Sequence, residues 1–403
     1  MGVHNPILIV GGGLGGLTAA LALARHGFAV RVLEGAPEFG AIGFGIQFGP
    51  NVFHALDRIG LNDAVLGKGD SPPAVVMFDA LDGKEVTRIP TGVSFRGRFK
   101  HPYLIIHRVD LHNVMLDACR HEPLITLVDD AHVTQFDDRG DGVTVTTQDG
   151  RSFAGTALIG ADGIRSSTRD QLLADGDPLP NGFMGFRTIV PMGDVTADVQ
   201  RDIVALWAGP GFHIVHYPLR HGALFNIAAV FRRSGHSERG DVAAYRAELE
   251  RAYQNAHPTM KALLAMLDLS RRQAVGDRDP VRHWHKGRVV LLGDAAHPTL
   301  QSLAQGACMA IEDGVCLADS IHACGGDFSA AFQRFERARG LRTARVTMES
   351  RAIWDVYHAD GIARDVYWQM LGERSEADVF ACLAWLYDGF QFPDATASRL
   401  AHG

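Results

Sequence analysis

No two cysteines of this chain stand at CxxC spacing. The five, Cys119, Cys308, Cys316, Cys324 and Cys382, are odd in number and widely spread along 403 residues. That pattern argues against a disulfide framework and a thiolate zinc site, and reads as the reduced thiols of a cytoplasmic protein. No apolar run reaches the roughly 18 residues that a membrane span needs. The first residues lead directly into a strand pattern, with no basic segment and apolar signal core before it. Basic blocks are missing too. Lys and Arg number 39 against 46 Asp and Glu, a formal charge of −7, so no nucleic-acid partner is expected. Repeats and low-complexity tracts are also absent. What remains is an ordinary globular composition, 46% apolar and 21% charged, in a chain long enough for two or three packed lobes.

The run Ile7-Leu8-Ile9-Val10 reads as a buried parallel strand. Glycines follow, then a helical stretch from Leu17 to Ala24 that Gly27 ends, then a second strand from Phe28 to Leu33. This is a βαβ unit. Val75 to Ile89 and Phe186 to Phe231 are rich in β formers and predict an antiparallel sheet. Arg288 to Leu292 returns to a buried parallel strand, and helical patterns dominate after Ala304. The expected fold is α/β: a Rossmann-like dinucleotide-binding domain, an inserted antiparallel sheet domain for substrate and a helical C-terminal segment. The expected boundaries are 1–72, 98–180 and 280–330 for the first, 73–97 and 181–279 for the second, and 331–403 for the third. Trp354, Trp368 and Trp385 fall in the last segment, where core packing is the default and a sheet cover or dimer surface the alternative.

The segment Gly11 to Gly16 satisfies GxGxxG at Gly11, Gly13 and Gly16. The first glycine permits a tight turn. The second lets backbone approach a pyrophosphate, and the third lets helix and strand pack closely. Free N–H groups at the helix start then face the phosphates. Glu34 ends the next strand, where a carboxylate can accept hydrogen bonds from both ribose hydroxyls. Two further segments place an Asp after a buried strand: Gly160-Ala161-Asp162-Gly163 and Leu292-Gly293-Asp294-Ala295. A simple NAD-binding domain needs neither.

These three motifs, in order and spacing, resemble the single-component FAD-dependent aromatic hydroxylases, the group A flavoprotein monooxygenases. The resemblance implies FAD as cofactor and assigns the following roles. Glu34 holds the adenosine ribose. Arg108 contacts the flavin phosphates or ribityl chain, and Gln47, on the loop after the second strand, touches the same region. Asp162 belongs to a loop that serves both FAD and the nicotinamide pyrophosphate. Asp294 binds the ribityl hydroxyls. The backbone around Ala307 borders the flavin pyrimidine, although Ala307-Cys308 replaces the family's usual asparagine region. Without the resemblance, Arg108 reads as a surface salt bridge and Asp294 as a helix N-cap.

On the substrate side, Trp207 to Leu219 reads as a turn followed by a strand. Alternation places His213, Val215 and Tyr217 on one face and Phe212, Ile214 and His216 on the other. The first face suits an aromatic acid: a base, a wall and a polar handle. On the residues alone a satisfied core histidine is the default, in a chain with 19 histidines. The patterns GPxxHxxxYPL and GDAAHPxLQxLAxGA are similar to the branch of the family that hydroxylates 3-hydroxybenzoate at carbon 6. That resemblance makes His213 the base and Gln301 an assistant at the ring, with Tyr217 as the handle. It leaves His297 structural and His216 outside the chemistry. The expected reaction is para-hydroxylation to 2,5-dihydroxybenzoate (gentisate) through a flavin hydroperoxide. The partners are the aromatic acid, dioxygen and NADH, with NADPH possible, and the expected assembly is a homodimer. The alternatives are a salicylate 1-hydroxylase giving catechol, a flavin oxidase or dehydrogenase without oxygen insertion, and a non-catalytic binding protein.

Overall fold

The computed structural model describes residues 5–40, 43–233 and 242–392. The end of the expected helical segment, 393–403, lies outside them.

Ile7–Val10 lies in the middle of a six-stranded sheet, parallel to Val30–Leu33 on one side and Leu158–Gly160 on the other. Ile125–Val128 and Val289–Leu291 extend the parallel run, and His285–Lys286 closes one edge antiparallel. The helix Leu14–Arg25 explains why Ile7–Val10 is apolar throughout. It is a run of Leu and Ala with residues 14 to 24 all buried, and it packs on the helix Gly306–Ala323. Continuous apolar runs with both faces covered are what a parallel sheet requires.

A second sheet has seven strands in the order Arg272–Asp277, Leu179–Pro191, Leu224–Arg232, Phe212–Leu219, Val204–Gly209, Ala74–Asp79 and Glu85–Pro90. Its pairs are antiparallel except one. Val204–Gly209 runs parallel to Ala74–Asp79, where a far segment of chain joins the sheet. Alternating hydrophobicity reports faces but not the direction of a partner, so the sequence pattern could not show this. One face of the sheet, with Phe186, Ile214, Ile227 and Phe231, packs on Tyr245, Leu249 and Leu263 of two short helices. The other face turns toward the first sheet.

Four helices follow: Gly306–Ala323, Phe328–Tyr357, Gly361–Gly372 and Glu376–Tyr387. The second is tied to the first by buried ions. Arg339 donates to Glu312 Oε2 at 2.5 Å and to Asp313 Oδ1 at 2.7 Å, all three fully buried. Removing one partner from such a group costs about 3–5 kcal/mol, because it strands a buried charge. The 30-residue helix Phe328–Tyr357 is thereby anchored in its first half, and near its far end Trp354 packs against His213 of the seven-stranded sheet.

Candidate active site

The glycine turn is held by backbone. Gly11 has φ +103°, and a Cβ there falls 2.3 Å from Ala161 O. A Cβ on Gly16 falls 2.0 Å from Gly11 O. Neither position accepts a side chain. Gly13 differs: a Cβ there meets no protein atom within 4 Å. The turn is therefore tight on the protein side and open on the other, the shape a pyrophosphate needs. The helix that starts here has no side-chain cap, so its first N–H groups stay available. Glu34 already accepts from Gly12 N at 2.7 Å and Ala36 N at 2.8 Å, which fixes its carboxylate beside the turn.

The two Asp motifs take different forms. Asp162 accepts from Ser166 Oγ at 2.5 Å and from Thr168 N and Oγ1 at 3.0 Å each, so its side chain shapes its own loop. The sequence reading missed Arg169 just beyond. Fully buried, it donates to the carbonyls of Ala295 and Ala296 at 2.9 and 2.7 Å, clamping the Asp162 segment to the Asp294 segment. Asp294 itself is solvent-exposed, yet its carboxyl is raised above the usual range by desolvation, which Arg108 and His297 partly offset. Arg108 opens the helix Arg108–Arg120, is exposed, and has no side-chain partner among the described residues. His297 Nε2 meets Asp313 Oδ2 at 2.5 Å inside the buried ion cluster, which fits the structural role expected of it. Ala307 is the second residue of a helix with no side-chain cap. An open glycine cradle, an unpaired cation, a carboxyl raised by desolvation and two uncapped helix starts fit a flavin dinucleotide.

Gln47 sits not on a loop but on a short strand, Gly45–Phe48, paired with Leu104–His107. Its Oε1 accepts from Tyr103 OH at 2.6 Å. Tyr217 lies against the same strand: a Cβ on Gly45 falls 2.6 Å from its hydroxyl. Burial raises the Tyr217 phenol to about 12, with Arg187 and then Gln47 pulling it down. The structure thus brings Gln47 and Tyr217 together at the junction of the two sheets.

His213, Val215 and Tyr217 do share a face. Register places Ala228 opposite Val215 and Arg187 opposite Ala228, so Arg187 stands on that face two strands away. Arg187 was not among the sequence candidates. The signal was a lone cation in the apolar strand Leu179–Pro191, in the phase opposite to the core residues Met184 and Phe186. Its Nη2 donates to Gln301 Oε1 at 2.5 Å. No acid pairs with it among the described residues, and burial pushes its guanidinium below the usual arginine range. A buried cation without an acid is unfavourable unless an anion joins it. Leu206, Ala208 and Val215, packed against Tyr357, form an apolar wall nearby.

The two strand histidines have separate fates. His216 accepts from Trp207 Nε1 at 3.0 Å and is sealed off, its imidazole pushed down to about 3 by burial. His213 is also buried, and burial, with His358 as a lesser cause, holds it well below the usual histidine range. Its Nδ1 lies 2.8 Å from His358 Nε2, and no hydrogen bond reaches its own Nε2 from the described residues. His358 was another residue that sequence reasoning missed.

A family model described as "FAD binding domain" matches residues 4–350. A 3-hydroxybenzoate 6-hydroxylase of Polaromonas naphthalenivorans (strain CJ2) is 41% identical over 382 residues, 95% of this chain and 95% of that protein. One of the same name from Klebsiella oxytoca is 39% identical over 94% of this chain and 96% of that protein. Among solved structures, Klebsiella pneumoniae HpxO complexed with FAD and uric acid aligns with TM-score 0.83 at 26% identity, over 96% of this chain and 97% of that one. A salicylate hydroxylase substrate complex aligns with TM-score 0.78 at 22% identity, over 98% and 97%, and speaks for the fold alone.

Proposed function

The chain belongs to the FAD binding domain family, and on that premise we propose that it is a monooxygenase converting 3-hydroxybenzoate to 2,5-dihydroxybenzoate. Relatives of that name at 41% and 39% identity along nearly the whole chain support the reading. The observation that carries it is the row of side chains on one sheet face. An imidazole with an unpaired Nε2 stands at one end, an acid-free guanidinium at the other and an apolar wall alongside.

An aromatic acid bearing a phenol fits that row. Arg187, beside Tyr217 and Gln301, takes the carboxylate. His213 meets the phenol and accepts its proton at Nε2. The negative charge left on oxygen spreads to the ring carbons ortho and para to it. In 3-hydroxybenzoate, carbon 6 is para to the hydroxyl, which sets the product. Leu206, Ala208 and Val215 keep water from the reacting ring. Bound FAD supplies the activation of dioxygen, drawing on hydride from a reduced nicotinamide.

The cofactor roles are those that the family resemblance implies. The backbone at Gly11, Gly13 and Gly16 takes the pyrophosphate, and Glu34 the adenosine ribose. Arg108, Gln47 and Asp162 serve the phosphate and ribityl region. Asp294 takes the ribityl hydroxyls, and the N–H of Ala307 the flavin pyrimidine. We also retain NADH as the nicotinamide, with NADPH the alternative, the three-part domain division given above, a cytoplasmic location and a homodimer. The dimer is supported by exposed Leu341 and Met348 on one helix and Ile362 and Val366 on the next.

The test is NADH oxidation by the FAD-loaded enzyme across a panel of hydroxybenzoates, with product chromatography. 3-Hydroxybenzoate should stimulate oxidation most and yield gentisate. Catechol from salicylate, at a higher rate than gentisate from 3-hydroxybenzoate, would overturn the assignment. Oxidation of substrate without oxygen insertion would point to a flavin oxidase or dehydrogenase.

A further inference from the structure

We infer that His358 holds His213 in the tautomer that can act as a base, so that the two imidazoles work as a dyad. The inference rests on the proposed role of His213.

The argument starts at a carbonyl. His358 Nδ1 lies 2.7 Å from Trp354 O, which can only accept, so this nitrogen carries a proton. His358 is buried, and burial pushes its imidazole down to about 4. The cationic Arg232 nearby opposes a charge there as well. His358 is therefore neutral, and its Nε2 is bare. The 2.8 Å contact to His213 Nδ1 then has one workable direction: His213 Nδ1 donates and His358 Nε2 accepts. A neutral His213 with its proton on Nδ1 has a lone pair on Nε2, the nitrogen without a protein partner. The opposite tautomer of His213 would leave two lone pairs facing each other.

The need for such a partner is physical. A phenol titrates near about 10 and an imidazole near about 6.5. Burial lowers His213 further and widens the gap. In the transfer the phenol O–H bond breaks, an N–H bond forms at His213 Nε2 and the electron pair stays on oxygen. Nothing is oxidised. The new imidazolium keeps its Nδ1–H on His358 Nε2, a charge-assisted hydrogen bond roughly twice as strong as a neutral one. His358 is also the C-cap of the helix Phe328–Tyr357, whose carbonyl end favours a cation. Gly211 N donates to His358 O at 3.3 Å, tying this helix end to the turn just ahead of His213. His358 is accordingly a positioning residue, acting through His213.

The test compares His358→Leu with His358→Gln in the FAD-loaded enzyme. The leucine fills the apolar surroundings of Phe183 and Trp354 but accepts nothing. The glutamine places an Oε1 near the position of the lost Nε2. Two readouts are taken: the phenolate absorbance expected when 3-hydroxybenzoate binds the oxidised enzyme, and gentisate formed per NADH. His358→Leu should keep FAD, lose the phenolate signal and hydroxylate roughly 10- to 100-fold more slowly, with KM changed by less than about 3-fold, as expected for an interaction with the transferring proton alone. His358→Gln should recover most of both. A packing role would rank the variants the other way. Equal loss in both, or hydroxylation by His358→Leu at the wild-type rate, overturns the dyad. If the wild type gives no phenolate signal with 3-hydroxybenzoate but gives one with salicylate, the substrate reading has failed, and the two variants are judged with salicylate. If neither phenol is deprotonated, the dyad falls too.

Discussion

At the glycine turn the decisive contacts are made by backbone, from Gly11 within the turn and from Ala161 on the neighbouring strand end. On the proposed substrate face of the seven-stranded sheet they are made by side chains from segments far apart. Gly11 needs its φ of +103°, and a Cβ there would fall only 2.3 Å from Ala161 O. His213 needs a histidine 145 residues away, and Arg187 needs a glutamine 114 residues away. The cradle is thus specified by what its residues lack. The substrate face is specified by which groups meet, and a small change of pairing would alter its chemistry without disturbing the cradle.

The largest expected effect breaks the cradle. Gly11→Ala meets both a forbidden backbone conformation and Ala161 O. Strain of this kind costs of order 1–3 kcal/mol before the clash is added. FAD content and soluble yield should both collapse. Gly13→Ala sharpens the point, because its Cβ meets no protein atom. The apoprotein should melt within a few degrees of wild type, while FAD titration shows affinity weakened by roughly 10-fold or more, since one clash with a ligand is worth more than about 1.4 kcal/mol. An apoprotein as damaged as that of Gly11→Ala would show that Gly13 serves the fold and not the ligand.

Next comes the anion anchor on the other side of the comparison. Arg187→Leu should leave FAD bound and raise the KM for 3-hydroxybenzoate by about 10- to 100-fold, since hydrogen bonds to charged groups are worth about 1.5–3 kcal/mol. The kcat at saturation should fall less. Steady-state kinetics read both, and an unchanged KM would remove Arg187 from the substrate site.

The third effect is smaller and concerns pH. His216 sits at about 3, His358 at about 4 and His213 well below the ordinary value, all because burial disfavours the cation. Their folded pKa values lie below the unfolded one near about 6.5, so the stability they contribute is whole above that pH and is lost as pH falls. Each group contributes a slope of up to about 1.4 kcal/mol per pH unit in that window. The melting temperature should therefore drop between pH 7 and pH 5, and His216→Gln should flatten the drop. A melting temperature constant over that range would contradict the burial of these imidazoles.

The same contrast explains what the sequence could tell. The strand, glycine turn, helix and acidic strand end lie within about one βαβ unit, so periodicity and spacing reveal them together. Alternation likewise placed His213 and Tyr217 on one face and His216 on the other. It could not reveal Arg187, because register between strands is set by packing rather than by local pattern. Nor could it reveal His358, which enters from the end of a helix whose pattern signals only core packing. Trp368, for which core packing is the default reading and a sheet cover an alternative, donates to Asp79 Oδ2 at 2.8 Å and ties its helix to the seven-stranded sheet. Gln47 was placed on a loop because a four-residue strand carries too little pattern to register.

The central claim is that the cradle and the acid-binding face are separable, with His213 acting only at the second. His213→Ala, supplied with FAD, NADH and 3-hydroxybenzoate, tests it by the amounts of gentisate and hydrogen peroxide formed per NADH consumed. The expected result is full FAD occupancy, continued NADH oxidation, gentisate formation slower by roughly 100-fold or more, and hydrogen peroxide in its place. Gentisate formed at the wild-type yield and rate would contradict the account.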